Sequence, residues 1–281
     1  MITNNAMQLK AYVKKMADEK NVSAQLVMQN YMMKRLLERV SLSKYKENFI
    51  LKGGFLIAAI VGLDTRTTMD LDTTIKGFEL NQDSIREIFE DICKISVKDD
   101  VAFSVNRTTN IRETDDYPGI RVSLTASYPP LKVPITVDVT TGDKITPREI
   151  EYTFRLLFDE RSIFIMAYNL ETILAEKLET VLSRNIANTR PRDFYDIYIL
   201  YTLRGAECDT AVLKTALEET AMKRGSLPVL GQYESIIDSI QKDSGMQSFW
   251  INYQKEFNYA KDISFNQTCA MVKHVLRAVF Q

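Results

Sequence analysis

The sequence predicts an α+β protein in which a mixed sheet-and-helix core lies between an N-terminal helical region and a C-terminal helical bundle. Two patterns carry that reading. Apolar residues recur at three- and four-residue spacing toward both ends, whereas the middle is written in short alternating runs punctuated by glycine and proline. The expected boundaries are 1–47 for the helical region, 48–150 for the α/β core and 151–281 for the helical domain.

From about Ala6 to Tyr45 the stripe Leu26, Met33, Leu36, Leu37 and Val40 is helical, and Ser23 stands where an N-cap accepts a backbone hydrogen bond. The core then offers five β-like runs: NFILKGG at 48–54, TMDLDTTIKG at 68–77, VAFSVNRTTNI at 101–111, GIRVSLTAS at 119–127 and KVPITVDVT at 132–140. Helices are expected between them over Phe55–Val61 and Gln82–Ser96. Beyond Pro147 the period is helical in segments near 170–187, 191–204, 209–224, 233–242, 246–260 and 265–280. Pro191 suits a first helical turn and Gly225 a helix end.

Composition narrows the function. With 45% hydrophobic and 26% charged residues the chain is neither disordered nor fibrous. The apolar stretch Phe55–Val61 is far shorter than the roughly 20 residues that span a bilayer. A net charge of −1 means that any nucleic acid must be drawn by a local basic patch. His274 is the single histidine and sits in an apolar helical pattern, so chemistries needing a histidine triad or a histidine metal cluster are poorly supplied. Three scattered cysteines fit reduced thiols, and with no signal-like N-terminus a cytoplasmic location is expected.

The chemistry concentrates in the core. On a strand, Asp70 and Asp72 point to one face while Met69 and Leu71 point to the other, with backbones about 7 Å apart. Upstream, Gly53 and Gly54 open a helix whose N-terminus and backbone amides suit a triphosphate. Asp138 is the lone acid of ITVDVT, on its polar face. If its strand lies beside that of Asp70 and Asp72, three carboxylates converge, a set able to hold two divalent ions for phosphoryl transfer.

Taken in order, the glycine turn, RTTMDLD at 66–72, AEKL at 175–178 and RPRDFYD at 190–196 resemble the AbiEii/AbiGii nucleotidyltransferases, the toxins of abortive-infection toxin–antitoxin systems. The resemblance covers roughly Asn48 to Leu203. It implies a DNA polymerase beta-like core, Mg2+ with Mn2+ as a substitute, a nucleoside triphosphate donor, a cognate antitoxin and a tRNA 3′ end as acceptor. It matches Asp70 and Asp72 to the metal-binding pair, and Lys177 with Asp193 or Asp196 to the downstream lysine and acidic motifs. Many such enzymes carry Gly-Ser at the turn. Here Gly53-Gly54 shifts phosphate contact to backbone amides, Lys52, Arg66 or Thr67, with Lys177 as a further cation.

Other readings stay open at this stage. Asp193 and Asp196, one helical turn apart, serve either catalysis directly or the organisation of Lys177 and the bundle. The tyrosines at 117, 128, 195 and 198 are candidates for base stacking or for core. The acceptor is RNA, a protein hydroxyl or a small-molecule hydroxyl, and a binding module without turnover is the alternative from another class.

Overall fold

A computed structural model describes residues 5–111 and 119–281. The chain divides into two units, Met1–Asp143 with Ile150–Ala167, and Lys144–Glu149 with Tyr168–Gln281. Tyr117 lies outside the described residues.

In the first unit α1 (Ala6–Lys20) ends where Asn21 takes a left-handed φ of 51°, and Ser23 starts α2 (Ala24–Leu42) by accepting the Leu26 amide at 3.2 Å. There follow β1 (Phe49–Lys52), α3 (Gly53–Val61), β2 (Leu71–Ile75), α4 (Gln82–Cys93), β3 (Ala102–Ile111), β4 (Gly119–Tyr128), β5 (Leu131–Thr141), β6 (Ile150–Arg155) and β7 (Ser162–Ala167). The strands form a seven-stranded mixed sheet in the order β3-β4-β5-β2-β1-β7-β6, in which β2 runs parallel to β5 and β1 parallel to β7.

Alternation sorts each central strand into two faces. Phe49, Leu51, Leu71, Val137 and Ile165 join Leu36 and Leu37 of α2 and Phe89 of α4 around one apolar cavity. The intervening residues, Lys52, Asp72 and Asp138 among them, point the other way. For Leu71 and Asp72 this is the division of faces expected from the sequence, but β2 begins only at Leu71, so Asp70 and Met69 precede it and Met69, 49% exposed, does not join the apolar face.

Helix α2 also buries charge. Arg39, 3% exposed, donates to both carboxylate oxygens of Asp99 at 2.8 Å and to the Val101 carbonyl at 2.5 Å, with its guanidinium over the Phe103 ring. Arg35 donates to Glu38 at 2.9 Å, and Glu38 accepts from Arg161 at 2.6 Å. These bonds tie α2 to the approach to β3 and to the β6–β7 turn, with buried charges satisfied as burial requires.

The hairpin β6–β7 extends the sheet into a region that the sequence pattern placed in the helical domain. Its alternation is real, with Phe154, Ile163 and Ile165 buried, but Phe164, 48% exposed, and half-buried Met166 interrupt the polar face. In the sequence, SIFIM therefore reads as one apolar run.

The second unit is helical: α5 (Leu170–Arg184), α6 (Pro191–Arg204), α7 (Thr210–Lys223), α8 (Leu227–Leu230), α9 (Tyr233–Lys242), α10 (Ser244–Glu256) and α11 (Phe265–Phe280). Asn169 caps α5 by accepting the Thr172 amide at 2.7 Å, and its own amide group donates to the carbonyls of Thr146 and Arg148. Ser264 and Gln267 close a capping box on α11. Trp250, 2% exposed, anchors α10 and donates its indole N–H to the Ile263 carbonyl at 2.9 Å. Among the described residues no helix is long and apolar enough to cross a membrane.

Replacing Arg39 by Met would leave the Asp99 carboxylate buried without its partner. Urea denaturation is expected to show a loss of about 3–5 kcal/mol relative to the parent chain.

Candidate active site

Strand register builds the site. Lys52 of β1 lies opposite Asp72 of β2, Asp72 opposite Asp138 of β5, and Asp138 opposite Arg121 of β4. Four charged residues thus form one row across four adjacent strands, about 5 Å apart from strand to strand. Asp70 is exposed just ahead of β2, Asp72 is half-buried, and Asp138 is 8% exposed.

The glycine turn is shaped around Asp72. Gly53 has φ +68°, and a β-carbon placed there would come within 2.1 Å of Asp72 Oδ2. Glycine is required twice over, by the left-handed backbone and by the carboxylate packed against it at the start of α3. A β-carbon on Gly54 would meet Thr68 Oγ1 at 3.1 Å and Arg66 Nη2 at 3.4 Å. Arg66, 6% exposed, donates to the Thr67 carbonyl, so the segment after α3 folds back over the turn.

The cation next to the turn is committed elsewhere. Lys52 is ion-paired with Asp143, whose Oδ2 also accepts from Thr140 Oγ1 at 2.8 Å. Burial works to raise the Asp143 pKa, but the charge of Lys52 and its hydrogen bond, with those of Thr140 and Thr74, outweigh it and bring the carboxyl down to about 2. Sequence reasoning assigned Lys52 to phosphate and overlooked Asp143, an acid in a loop whose partner is fixed only when β1 and β5 share a sheet.

Arg121 was also overlooked. It donates from Nε and Nη2 to the two oxygens of Asp138, both at 2.8 Å, in the bidentate geometry of the strongest guanidinium–carboxylate pairs. The hydrogen bond to Asp138 holds the Arg121 pKa above its ordinary value, and the charges of Asp138, Asp70 and Asp72 add to it. Its place on the polar side of GIRVSLTAS was legible, but its partner depended on the β4–β5 register.

Among the described residues no three Asp, Glu, His or Cys side chains are gathered so as to hold a metal ion. Asp70 and Asp72, whose charges both act on Arg121, are hard oxygen donors of the kind a divalent cation takes. Asp138 stands beside Asp72 in register, but both its oxygens accept from Arg121, and Asp70 lies ahead of the strand, so register brings together two of the three carboxylates expected from sequence.

In the second unit, Lys177 Nζ lies 2.6 Å from Asp193 Oδ1 and 2.8 Å from Asp196 Oδ2, joining α5 to α6. Burial works to lower the Lys177 pKa, but the two carboxylates more than offset it and the pKa is raised. The organising arrangement between these three residues is therefore present. Tyr128 and Tyr195 are 4% and 1% exposed and belong to core, with Tyr195 packed on Tyr253 and Tyr259. Exposed His274 meets Tyr201 edge-on.

A mixed sheet that carries an Asp-x-Asp strand beside a third acidic strand, after a glycine turn opening a helix, is the architecture of a nucleotidyltransferase. Two solved structures from Helicobacter pylori share the fold. One, provisionally described as a nucleotidyltransferase, is 15% identical with a TM-score of 0.50 over 92% of this chain and 98% of that one. The other, JHP933, is 13% identical with a TM-score of 0.50 over 92% and 94%. No curated protein matches the chain. The family model described as the nucleotidyl transferase AbiEii toxin of type IV toxin–antitoxin systems matches residues 35–268, and the chain belongs to that family. It is a nucleotidyltransferase enzyme of the toxin class, which implies a nucleoside triphosphate substrate and an antitoxin partner.

Gly53→Ala would push the Asp72 carboxylate aside while leaving the core intact. Nucleotide transfer is expected to fall about 100-fold with the circular dichroism spectrum unchanged. A second expectation concerns acid stability. Because the folded pKa of Asp143 lies below its ordinary 3.8, its contribution is present above that value and is lost as pH falls toward about 2. The stability difference between the parent and Asp143→Asn, from urea titrations between pH 6 and 2, is expected to shrink by on the order of 2 kcal/mol.

Proposed function

We propose that this enzyme transfers a nucleoside monophosphate from a nucleoside triphosphate to the 3′ hydroxyl of an RNA, the acceptor end of tRNA, in a magnesium-dependent reaction that stops translation. It acts in the cytoplasm and is restrained there by its antitoxin. The observation that supports this reading is that Asp72, in register with Asp138, is seated against the Gly53 turn at the α3 N-terminus, with Asp70 two residues before it.

The backbone amides at Gly53 and Gly54 and the positive end of α3 receive the triphosphate, with Arg66 and Thr68 beside the turn and the Thr67 carbonyl accepting from Arg66. Asp70 and Asp72 would hold Mg2+ or Mn2+, which would supply charge neutralisation at the phosphates, and Asp138 is in register next to Asp72. The acceptor oxygen bonds to the α-phosphorus, the bond to the bridging oxygen breaks, pyrophosphate departs with that electron pair, and a carboxylate of the row accepts the hydroxyl proton. In the second unit, Lys177 is held between Asp193 and Asp196 and joins α5 to α6.

Purified protein incubated with total tRNA, magnesium and each labelled nucleoside triphosphate in turn should label RNA with at least one of them. Asp72→Asn, which alters a half-exposed side chain, should lower labelling at least about a thousand-fold, or ~4 kcal/mol, without loss of folding. Label in protein rather than RNA would overturn the acceptor. Full activity of Asp72→Asn would overturn the site.

A further inference from the structure

The half of the sheet formed by β3, β4 and β5 has a polar face whose described side chains are exposed or half-buried apart from Asp138 and Thr140. Strands β3, β4 and β5 carry four charged residues, Arg107, Arg121, Lys132 and Asp138, and register places all four on this same side. Arg121 lies opposite Asp138, Arg107 opposite Ser123, and Lys132 opposite Ser127. Arg107, Arg121 and Lys132 are exposed, and the one acid is neutralised by Arg121.

Between the cations the face is lined by hydroxyls. Ser104, Ser123, Thr125, Ser127 and Thr136 share it, and Asn106, at the bulge in β3, donates its side-chain amide to Thr125 Oγ1 at 3.0 Å. The opposite face of β4 is Ile120, Val122, Leu124, Ala126 and Tyr128, all buried. Among the described residues of these three strands, the polar face bears no aromatic ring on which a base could stack.

We infer that this face is the platform for the sugar–phosphate backbone of the acceptor RNA strand, with Arg121 at its catalytic end and Lys132 at its outer end. The inference rests on the RNA-acceptor reading above and adds where the strand lies. From Arg121 to Ser127, opposite Lys132, is about 20 Å along β4 at the usual strand rise, enough for a few nucleotides of single strand. Cations attract the phosphates, and short hydroxyl side chains hydrogen-bond phosphate oxygens and ribose hydroxyls. Recognition is then independent of base sequence, and binding depends on salt. Because the row Arg121, Asp138 and Asp72 continues the platform, a strand lying on it ends at the carboxylates.

Arg107 and Lys132 are exposed and outside the catalytic row, so replacing them leaves folding and donor binding undisturbed. The test measures binding of a fluorescein-labelled single-stranded RNA and of tRNA by anisotropy over a salt series, with donor affinity measured by calorimetry. Arg107→Ala/Lys132→Ala should weaken RNA binding at least about tenfold and reduce the slope of log K against log salt by about 1 to 2, with donor affinity unchanged. Lys14→Ala/Lys15→Ala, an equal loss of charge on exposed positions of α1, should leave RNA binding within about twofold of the parent. Unchanged RNA binding in the first variant, or equal weakening in both, would overturn the platform while leaving RNA transfer intact. A parent protein that neither binds nor labels RNA would instead remove the acceptor reading on which the platform rests.

Discussion

Two like charges facing each other across a parallel strand pair organise the first unit. Asp72 and Asp138 are direct neighbours in the β2–β5 register, an arrangement that is destabilising unless something opposes it. The row supplies the opposition at its outer end, where Arg121 grips both oxygens of Asp138, and Asp72 leans instead on the positive end of α3. The glycine at 53, the fold-back of Arg66 and the alternation of four strands are all conditions for keeping that acidic pair together.

The cost of the arrangement is spread over the sheet's opposite face. There, Leu71, Val137 and Leu51 belong to the apolar surface that α2 and α4 cover, and α2 itself is anchored by buried ion pairs to Asp99 and Asp159. The charged row is rigid because the strands that carry it are locked from behind. A loop could not present carboxylates at such spacing without paying ordering entropy for each. In the second unit the same logic appears in smaller form, where Lys177 is held between Asp193 and Asp196 on two packed helices.

Family membership and the fold agree on a nucleotidyltransferase, and the geometry adds distinctions that the family motif does not. The sequence patterns draw attention to Asp70, Asp72 and Lys177 but not to Arg121 and Asp143. Each of these two partners a charged side chain of the row, and each sets how much of that charge is offered to a ligand. Lys52 and Asp138 are thereby drawn into internal pairs.

Most of the architecture was written locally. The Asp-x-Asp spacing, the polar alternation around Asp138, the glycine pair, the Ser23 cap and the helical periods after residue 170 are properties of short segments, where periodicity and backbone preference act within a few residues. The hairpin Ile150–Arg155 with Ser162–Ala167 was not legible, because Phe164 and Met166 obscured its alternation. What tertiary structure alone decided is pairing. That Arg121 meets Asp138, that Lys52 meets Asp143 and that Gly53 yields its β-carbon space to Asp72 each depend on register between segments 17 to 91 residues apart. No local preference encodes such distances, since register is set by which whole faces the strands must bury.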